Sequence, residues 1–166
     1  MPREELEPSS FPPDICDFLR LLHRHGVKYL IVGGEAVIYH GYARLTGDID
    51  FFFEPSAENC ARLFTALSEF WEGPVPGLAA SDELLRPGLI VQFGVPPNRI
   101  DLLNLIGGVT FGQAWPNRRI VVLKGEREEV QIYYLGLEDL IRNKRAAGRH
   151  KDLDDLHFLE SVRKSS

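Results

Sequence analysis

Cysteine and long apolar runs are scarce in this 166-residue sequence, and each absence excludes a class of protein. The two cysteines, Cys16 and Cys60, form no CxxC pair, so the sequence gives no disulfide scaffold and no zinc or redox motif. No apolar run approaches the ~18 residues that a membrane-spanning helix needs. The acidic, proline-rich residues 1–13 lack the apolar core of a signal peptide, so we expect a cytoplasmic protein without membrane contact.

Positive charge is also in deficit, because 19 lysines and arginines face 24 aspartates and glutamates, a formal net charge of −5. This balance disfavours a protein that coats nucleic acid over its whole surface, but it leaves room for a local basic patch. The five histidines show no HExxH spacing, so no metalloprotease-type zinc site is predicted.

The remaining pattern predicts a single domain over residues 14–166, after a flexible segment at 1–13. With 44% hydrophobic residues, a chain of this length buries a sizeable core. Short β-branched and aromatic runs alternate with segments of helical apolar spacing, which predicts an α+β fold with one mixed sheet flanked by helices. The predicted strands lie at 27–32, 48–54, 89–95, 99–105, 119–123 and 130–135, and the predicted helices begin after Asp14, at 35, after Ser56, at 137 and at 151.

Two carboxylates on one predicted strand are the strongest chemical signal. Asp48 and Asp50 flank one residue, and strand alternation sends the side chains of i and i+2 to the same face. Three phenylalanines at 51–53 follow directly and indicate a buried strand. A divalent cation resolves the repulsion between two carboxylates, and oxygen ligands suit Mg²⁺ or Mn²⁺. A solvated strand end is the alternative for the pair taken alone.

Two further features point to the same place. Asp101 lies inside an apolar run, where an acid is costly unless it is paired or coordinates a metal. If its strand neighbours the strand of Asp48, a three-carboxylate cluster suited to two-metal phosphoryl chemistry results. Gly33 and Gly34 separate a strand from a helix and allow close approach of an anion, although a diglycine there is more often a tight turn.

The segment 142–151 holds five basic residues and no acid. Such a run is usually a solvated helix face. Here it could also hold a triphosphate through Lys144 and Lys151, or the backbone of an RNA acceptor. Asp152 and Asp155, spaced i and i+3, could instead pair with these bases.

Together, the glycine pair, the thirteen residues that follow it and the Asp48–Asp50 pair resemble the hG[GS]…DhD signature of the DNA polymerase beta-like nucleotidyltransferase superfamily. Asp101, in the sequence RIDLL, is similar in placement to the third carboxylate of that superfamily. The resemblance implies a polymerase-beta-like fold and spans most of the chain.

Within that superfamily, the sequence is similar to the small bacterial AbiEii-type nucleotidyltransferases, which are components of toxin–antitoxin systems. Gly41, Arg44 and Thr46 before the acidic pair resemble the pattern of that branch, as does the closing segment 144–155. This narrower resemblance implies a toxin–antitoxin setting, with a toxin or antitoxin as partner.

The resemblance implies a metal-dependent enzyme that transfers a nucleoside monophosphate from a triphosphate such as ATP to an acceptor hydroxyl, with release of pyrophosphate. The acceptor classes are a protein, a tRNA end or a small molecule. Asp48 and Asp50 would bind Mg²⁺ or Mn²⁺, and Asp101 would share one ion and deprotonate or orient the acceptor hydroxyl. The implied nucleotide-binding residues are Gly33, Gly34, Arg44, Thr46, Lys144 and Lys151.

A catalytically silent module of the same fold, which binds a partner protein or senses a nucleotide, is the alternative function. Glu35 keeps this alternative open, because an acid beside a polyanion is unexpected unless it points away or joins the metal shell. The chain is short for a separate acceptor-binding domain, so we expect a partner or a homodimer to supply that surface.

Overall fold

The sheet is the element that positions the site. The computed structural model describes residues 4–42, 46–125 and 127–165, and within them one seven-stranded sheet forms. Its strands are β1 (Glu5–Leu6), β2 (Tyr29–Val32), β3 (Asp48–Phe53), β4 (Ile90–Phe93), β5 (Arg99–Leu103), β6 (Arg119–Leu123) and β7 (Val130–Tyr134). Their order across the sheet is β1-β6-β7-β2-β3-β5-β4, with both parallel and antiparallel pairs. The predicted α+β fold with one mixed sheet is therefore confirmed.

The α-helices of the described residues begin and end where local chemistry directs them. Ser56 caps one of them by accepting a hydrogen bond from the backbone N–H of Asn59 at 3.2 Å. Gly148 ends another in a left-handed conformation with φ 65°, which suits glycine. The helices are α1 (Pro13–Arg24), α2 (Gly33–Tyr39), α3 (Ala57–Trp71), α4 (Phe111–Ala114), α5 (Leu137–Ala147) and α6 (His150–Ser165).

Two apolar cores lie on the two faces of the sheet. One is shared with α1 and α3, and the other with α2, α5 and α6. The phenylalanine run of β3 serves both, because alternation sends Phe51 and Phe53 into the first core and Phe52 into the second. Phe51 meets Phe18 of α1 edge-to-face, with ring centroids 5.2 Å apart. Burial on both faces explains why this strand reads as a continuous apolar run.

Part of the N-terminal segment contacts the rest of the fold. Glu5 and Leu6 pair in parallel with Val122 and Leu123 of β6, and Phe11 is buried against the first core. A strand of two residues is too short for alternation to reveal, so the sequence alone gave no signal for it. Cys16 and Cys60 are buried free thiols. Among the described residues, no helix is long and apolar enough to cross a membrane.

Candidate active site

Sheet register brings three predicted carboxylates together. β3 and β5 are parallel neighbours in which Asp50 lies opposite Asp101 and Asp48 lies opposite Arg99. These side chains share the sheet face covered by α2, α5 and α6, since Phe52 and Leu103 continue the same face into the second core. One oxygen from each of the three aspartates lies within 4.8 Å of the others. We call these three residues the carboxylate cluster.

Asp50 is the most constrained member of the carboxylate cluster. Its Oδ1 is buried and has no hydrogen-bond partner among the described residues. Burial first, and then the charges of Asp48 and Asp101, raise the pKa of Asp50 to about 7. Gly33 has φ +66°, and a Cβ there would overlap Oδ2 of Asp50. The sheet–helix junction therefore needs a glycine at 33 so that its backbone can approach this carboxylate.

Asp48 is held in its ionised form by two donors. The Thr46 hydroxyl lies 3.1 Å from Oδ1, and Arg99 Nη2 donates to Oδ2 at 2.7 Å. Burial opposes ionisation, but these hydrogen bonds keep the pKa of Asp48 below its usual value. The Thr46 hydroxyl also lies 3.2 Å from the backbone oxygen of Asp48, so Thr46 supports the start of β3.

Arg99 is a site residue that the motif-based reasoning missed. Besides its bond to Asp48, its Nε donates to Asp101 Oδ1 at 3.0 Å and its Nη2 to Asp101 Oδ2 at 3.1 Å. Gln92 of β4 donates a longer bond, 3.3 Å, to the same Asp101 oxygen. The available signal was strand alternation, because Arg99 precedes Asp101 by two residues and so shares its face.

The carboxylate cluster fits a divalent cation. Hard cations such as Mg²⁺ and Mn²⁺ prefer carboxylate oxygens, and three such groups converge here around an oxygen that has no partner among the described residues. Most buried side-chain oxygens in proteins are hydrogen-bonded, so this one is an exception. Glu35 lies within electrostatic reach, since burial and then the charge of Asp48 raise its pKa. It is nevertheless not a member of the 4.8 Å group among the described residues.

Lys144 requires a correction. Its Nζ is buried and lies 3.2 Å from Asp152 Oδ1 and 3.0 Å from Asp155 Oδ2. A buried ammonium shared by two carboxylates has no surface to offer a phosphate, so the pairing alternative describes this residue. We call Lys144, Asp152 and Asp155 the helix-pair cluster, because it joins α5 to α6.

Arg149 is the basic residue that the turn after α5 brings toward the carboxylate cluster. Asp152 Oδ2 accepts from its Nε at 2.6 Å and from its backbone N–H at 3.2 Å. The hydrogen bond to Asp152 is the main cause that raises the pKa of Arg149, and the charge of Asp50 contributes. Asp152 therefore anchors one side of an exposed guanidinium near the cluster.

The other predicted nucleotide ligands lie at the starts of two helices or outside the described residues. Lys151 is exposed near the start of α6, and Gly34 follows Gly33 in the first turn of α2. Arg44 lies outside the described residues. A groove of about 660 Å³ lies on the opposite face of the sheet, between Phe70 and Phe93, and its lining includes no member of the carboxylate cluster.

Comparison with known proteins identifies the kind of chain that carries this geometry. A family model described as a nucleotidyltransferase of unknown function (DUF6036) matches residues 14–163. The match includes the glycine pair, the carboxylate cluster and the helix-pair cluster. No curated protein matches the sequence.

Proposed function

Because the chain belongs to the DUF6036 family of nucleotidyltransferases, we propose that it transfers a nucleoside monophosphate from a nucleoside triphosphate to an acceptor hydroxyl. The observation that carries the proposal is the carboxylate cluster, in which a buried Asp50 oxygen has no partner within the described part of the chain. An acidic cluster that served only the fold would be expected to have its buried oxygens paired. Asp50 instead keeps an oxygen that no described residue engages, and a bound cation would engage it.

Asp48, Asp50 and Asp101 would together hold Mg²⁺ or Mn²⁺. The bound cation supplies positive charge that orients the triphosphate and stabilises the leaving pyrophosphate. The acceptor oxygen forms a bond to the α-phosphorus, while the bond from that phosphorus to the bridging oxygen breaks and pyrophosphate leaves. Asp101 takes or orients the proton of the acceptor hydroxyl.

Basic and backbone groups of the chain would bind the polyanion. We assign Arg149 to the triphosphate in place of Lys144, since Arg149 is exposed, anchored by Asp152 and within electrostatic reach of Asp50. Lys151, Arg44 and the glycine pair remain proposed ligands. Thr46 acts through Asp48, which it helps to orient.

A toxin–antitoxin role of the AbiEii type stays a prediction from the sequence resemblance. The segment 144–155 on which that resemblance rests folds into the helix-pair cluster and the Arg149 turn. A structural reason for retaining these residues therefore exists whichever acceptor the enzyme uses.

The proposal is tested by offering the protein each α-labelled nucleoside triphosphate with Mg²⁺ or Mn²⁺, together with total RNA and a cell lysate. We expect label on one class of acceptor and release of pyrophosphate. Asp50→Asn should abolish both, and the exposed control Asp82→Asn should retain both.

Two results would separate the alternatives. Binding of triphosphate without transfer or pyrophosphate, in both the wild type and Asp50→Asn, would contradict the enzyme and favour a nucleotide sensor. Absence of nucleotide binding, with a partner protein still captured by Asp50→Asn, would favour a silent interaction module.

A further inference from the structure

Arg99 occupies the carboxylate cluster in an unusual way for a surface-facing arginine. Its guanidinium makes three hydrogen bonds, one to Asp48 at 2.7 Å and two to Asp101 at 3.0 and 3.1 Å. Asp50, the third member, receives none of them, and its Oδ1 stays without a partner among the described residues. One monovalent guanidinium therefore bridges two of the three converging carboxylates and offsets only part of their negative charge.

The oxygens that Arg99 engages are the ones that a cation would need. Asp48 accepts from Thr46 at Oδ1 and from Arg99 Nη2 at Oδ2. Both Asp101 oxygens also accept from Arg99. Each carboxylate oxygen keeps a second lone pair for a metal, but a divalent ion bound by all three aspartates would lie beside the positive guanidinium and be repelled by it.

Arg99 is also placed so that it can leave. It is the first residue of β5, at the end of the sheet, and its side chain is 32% exposed. Asp101 beside it is 7% exposed in its side chain. A long arginine side chain at a strand end can turn toward solvent by rotation about side-chain bonds, while the aspartates stay fixed on adjacent strands.

We propose that Arg99 is the resident counter-cation of the carboxylate cluster, and that a divalent ion binds by displacing its guanidinium from Asp48. Arg99 then sets the affinity for the metal: it keeps the three aspartates together in the metal-free protein and lowers the apparent affinity for the ion. The inference rests on the proposed function, because it takes this cluster as the cation site.

The test is direct measurement of Mn²⁺ binding to the full chain by electron paramagnetic resonance or calorimetry, at about pH 8 so that the aspartates are ionised. Arg99→Gln should bind Mn²⁺ about tenfold more tightly than the wild type, a factor that corresponds to the net strength of one charge-assisted hydrogen bond. Without metal, Arg99→Gln should also have a lower melting temperature than the wild type, and added Mn²⁺ should raise its melting temperature by more. Arg62→Gln, which removes an exposed ion pair with Glu58 on α3, should match the wild type in Mn²⁺ affinity.

Equal or weaker Mn²⁺ affinity in Arg99→Gln, with the wild type binding normally, would overturn the inference and leave the proposed function intact. Absence of Mn²⁺ binding in both proteins would refute the metal site itself, and with it the proposed function.

Two measurements keep the test decisive if Arg99→Gln fails to fold. Arg99→Lys retains the charge but loses the two-pronged geometry, so its affinity should lie between those of the wild type and the glutamine variant. In the wild type, the Nε–H resonance of Arg99 should shift during a Mg²⁺ titration. A resonance that does not move while Mg²⁺ binds would also overturn the inference.

Discussion

The described residues include two clusters of aspartates with a basic side chain between them, and the clusters differ in how completely their carboxylates are paired. In the helix-pair cluster, buried Lys144 lies within 3.2 Å of both aspartates, and Asp152 is further engaged by Arg149. In the carboxylate cluster, Arg99 engages two aspartates and leaves Asp50 with a buried, unpartnered oxygen among the described residues.

The comparison separates a structural use of buried charge from a chemical one. In the helix-pair cluster, a buried ion pair joins two helices. Removing one partner of such a pair leaves a buried charge without compensation. A cluster with an unsatisfied carboxylate is strained in the absence of a cation, which is the property expected of a metal-binding centre. Substitutions in the two clusters should therefore have opposite consequences for stability and for transfer.

The largest expected effect is on catalysis. Asp50→Asn should lower nucleotidyl transfer by roughly a thousandfold or more, about 4 kcal/mol of transition-state stabilisation, because a cation ligand is lost. The metal-free variant should unfold at the same or a higher urea concentration, since a repelled carboxylate is removed. Initial rates of pyrophosphate release measure the loss of transfer, and urea denaturation measures the stability. A variant that keeps most of its activity would show that Asp50 belongs to the fold alone.

Lys144→Met should have the reverse profile. Removing the ammonium leaves two buried carboxylates without it, so the free energy of unfolding should fall by about 3–5 kcal/mol. The matched control is Arg145→Gln, which breaks an exposed ion pair with Glu160 and should lower the free energy of unfolding far less than Lys144→Met. Urea denaturation of both variants makes the comparison, and equal losses in the two would contradict a structural role for Lys144.

The pH dependence of stability should separate the wild type from Asp50→Asn. The pKa of Asp50 is about 7 in the folded protein and near 4 in an unfolded chain, so only the folded state holds this proton between those values. Stability of the metal-free protein should therefore fall as pH rises through this window, by an order of 3 kcal/mol. Urea denaturation in chelator from about pH 5 to 8 measures it. Parallel curves for the two proteins would show that the shift is absent.

The smallest effect concerns the glycine that faces Asp50. Gly33→Ala should lower the free energy of unfolding by about 2 kcal/mol, from its positive φ and the overlap with Asp50 Oδ2. It should also weaken Mn²⁺ binding. Gly112→Ala is the control, because it lies in α4 with nothing within 4 Å of an added Cβ. Calorimetric titration measures Mn²⁺ binding, and urea denaturation measures stability. If Gly33→Ala equals the wild type in both, the close approach of the Gly33 backbone to Asp50 is contradicted.

The carboxylate cluster could be predicted from the sequence because its causes are local. Alternation fixed the shared face of Asp48 and Asp50, and the apolar run around Asp101 indicated a second buried strand. The parallel pairing of β3 with β5 then completed the site. Alternation also places Arg99 on the face of Asp101, but its contact with Asp48 depends on the register between β3 and β5, which the sequence does not specify.

The helix-pair cluster could not be settled in this way. The side of α5 that carries Lys144 is buried only because α6 packs against it, and no periodicity in 142–151 reports that contact. The same limit applies to β1, whose two residues gain their place from pairing with a strand more than a hundred residues away. The burial and pairing of such residues depend on long-range packing rather than on the local sequence pattern.

The most direct test of the central claim is a crystal grown with Mn²⁺ and a non-hydrolysable nucleoside triphosphate, examined by anomalous scattering. We expect an anomalous peak bounded by the carboxylates of Asp48, Asp50 and Asp101, with the Arg99 guanidinium turned away from Asp48. A triphosphate bound elsewhere, or an empty cluster with Arg99 still bridging Asp48 and Asp101 at saturating Mn²⁺, would contradict the account.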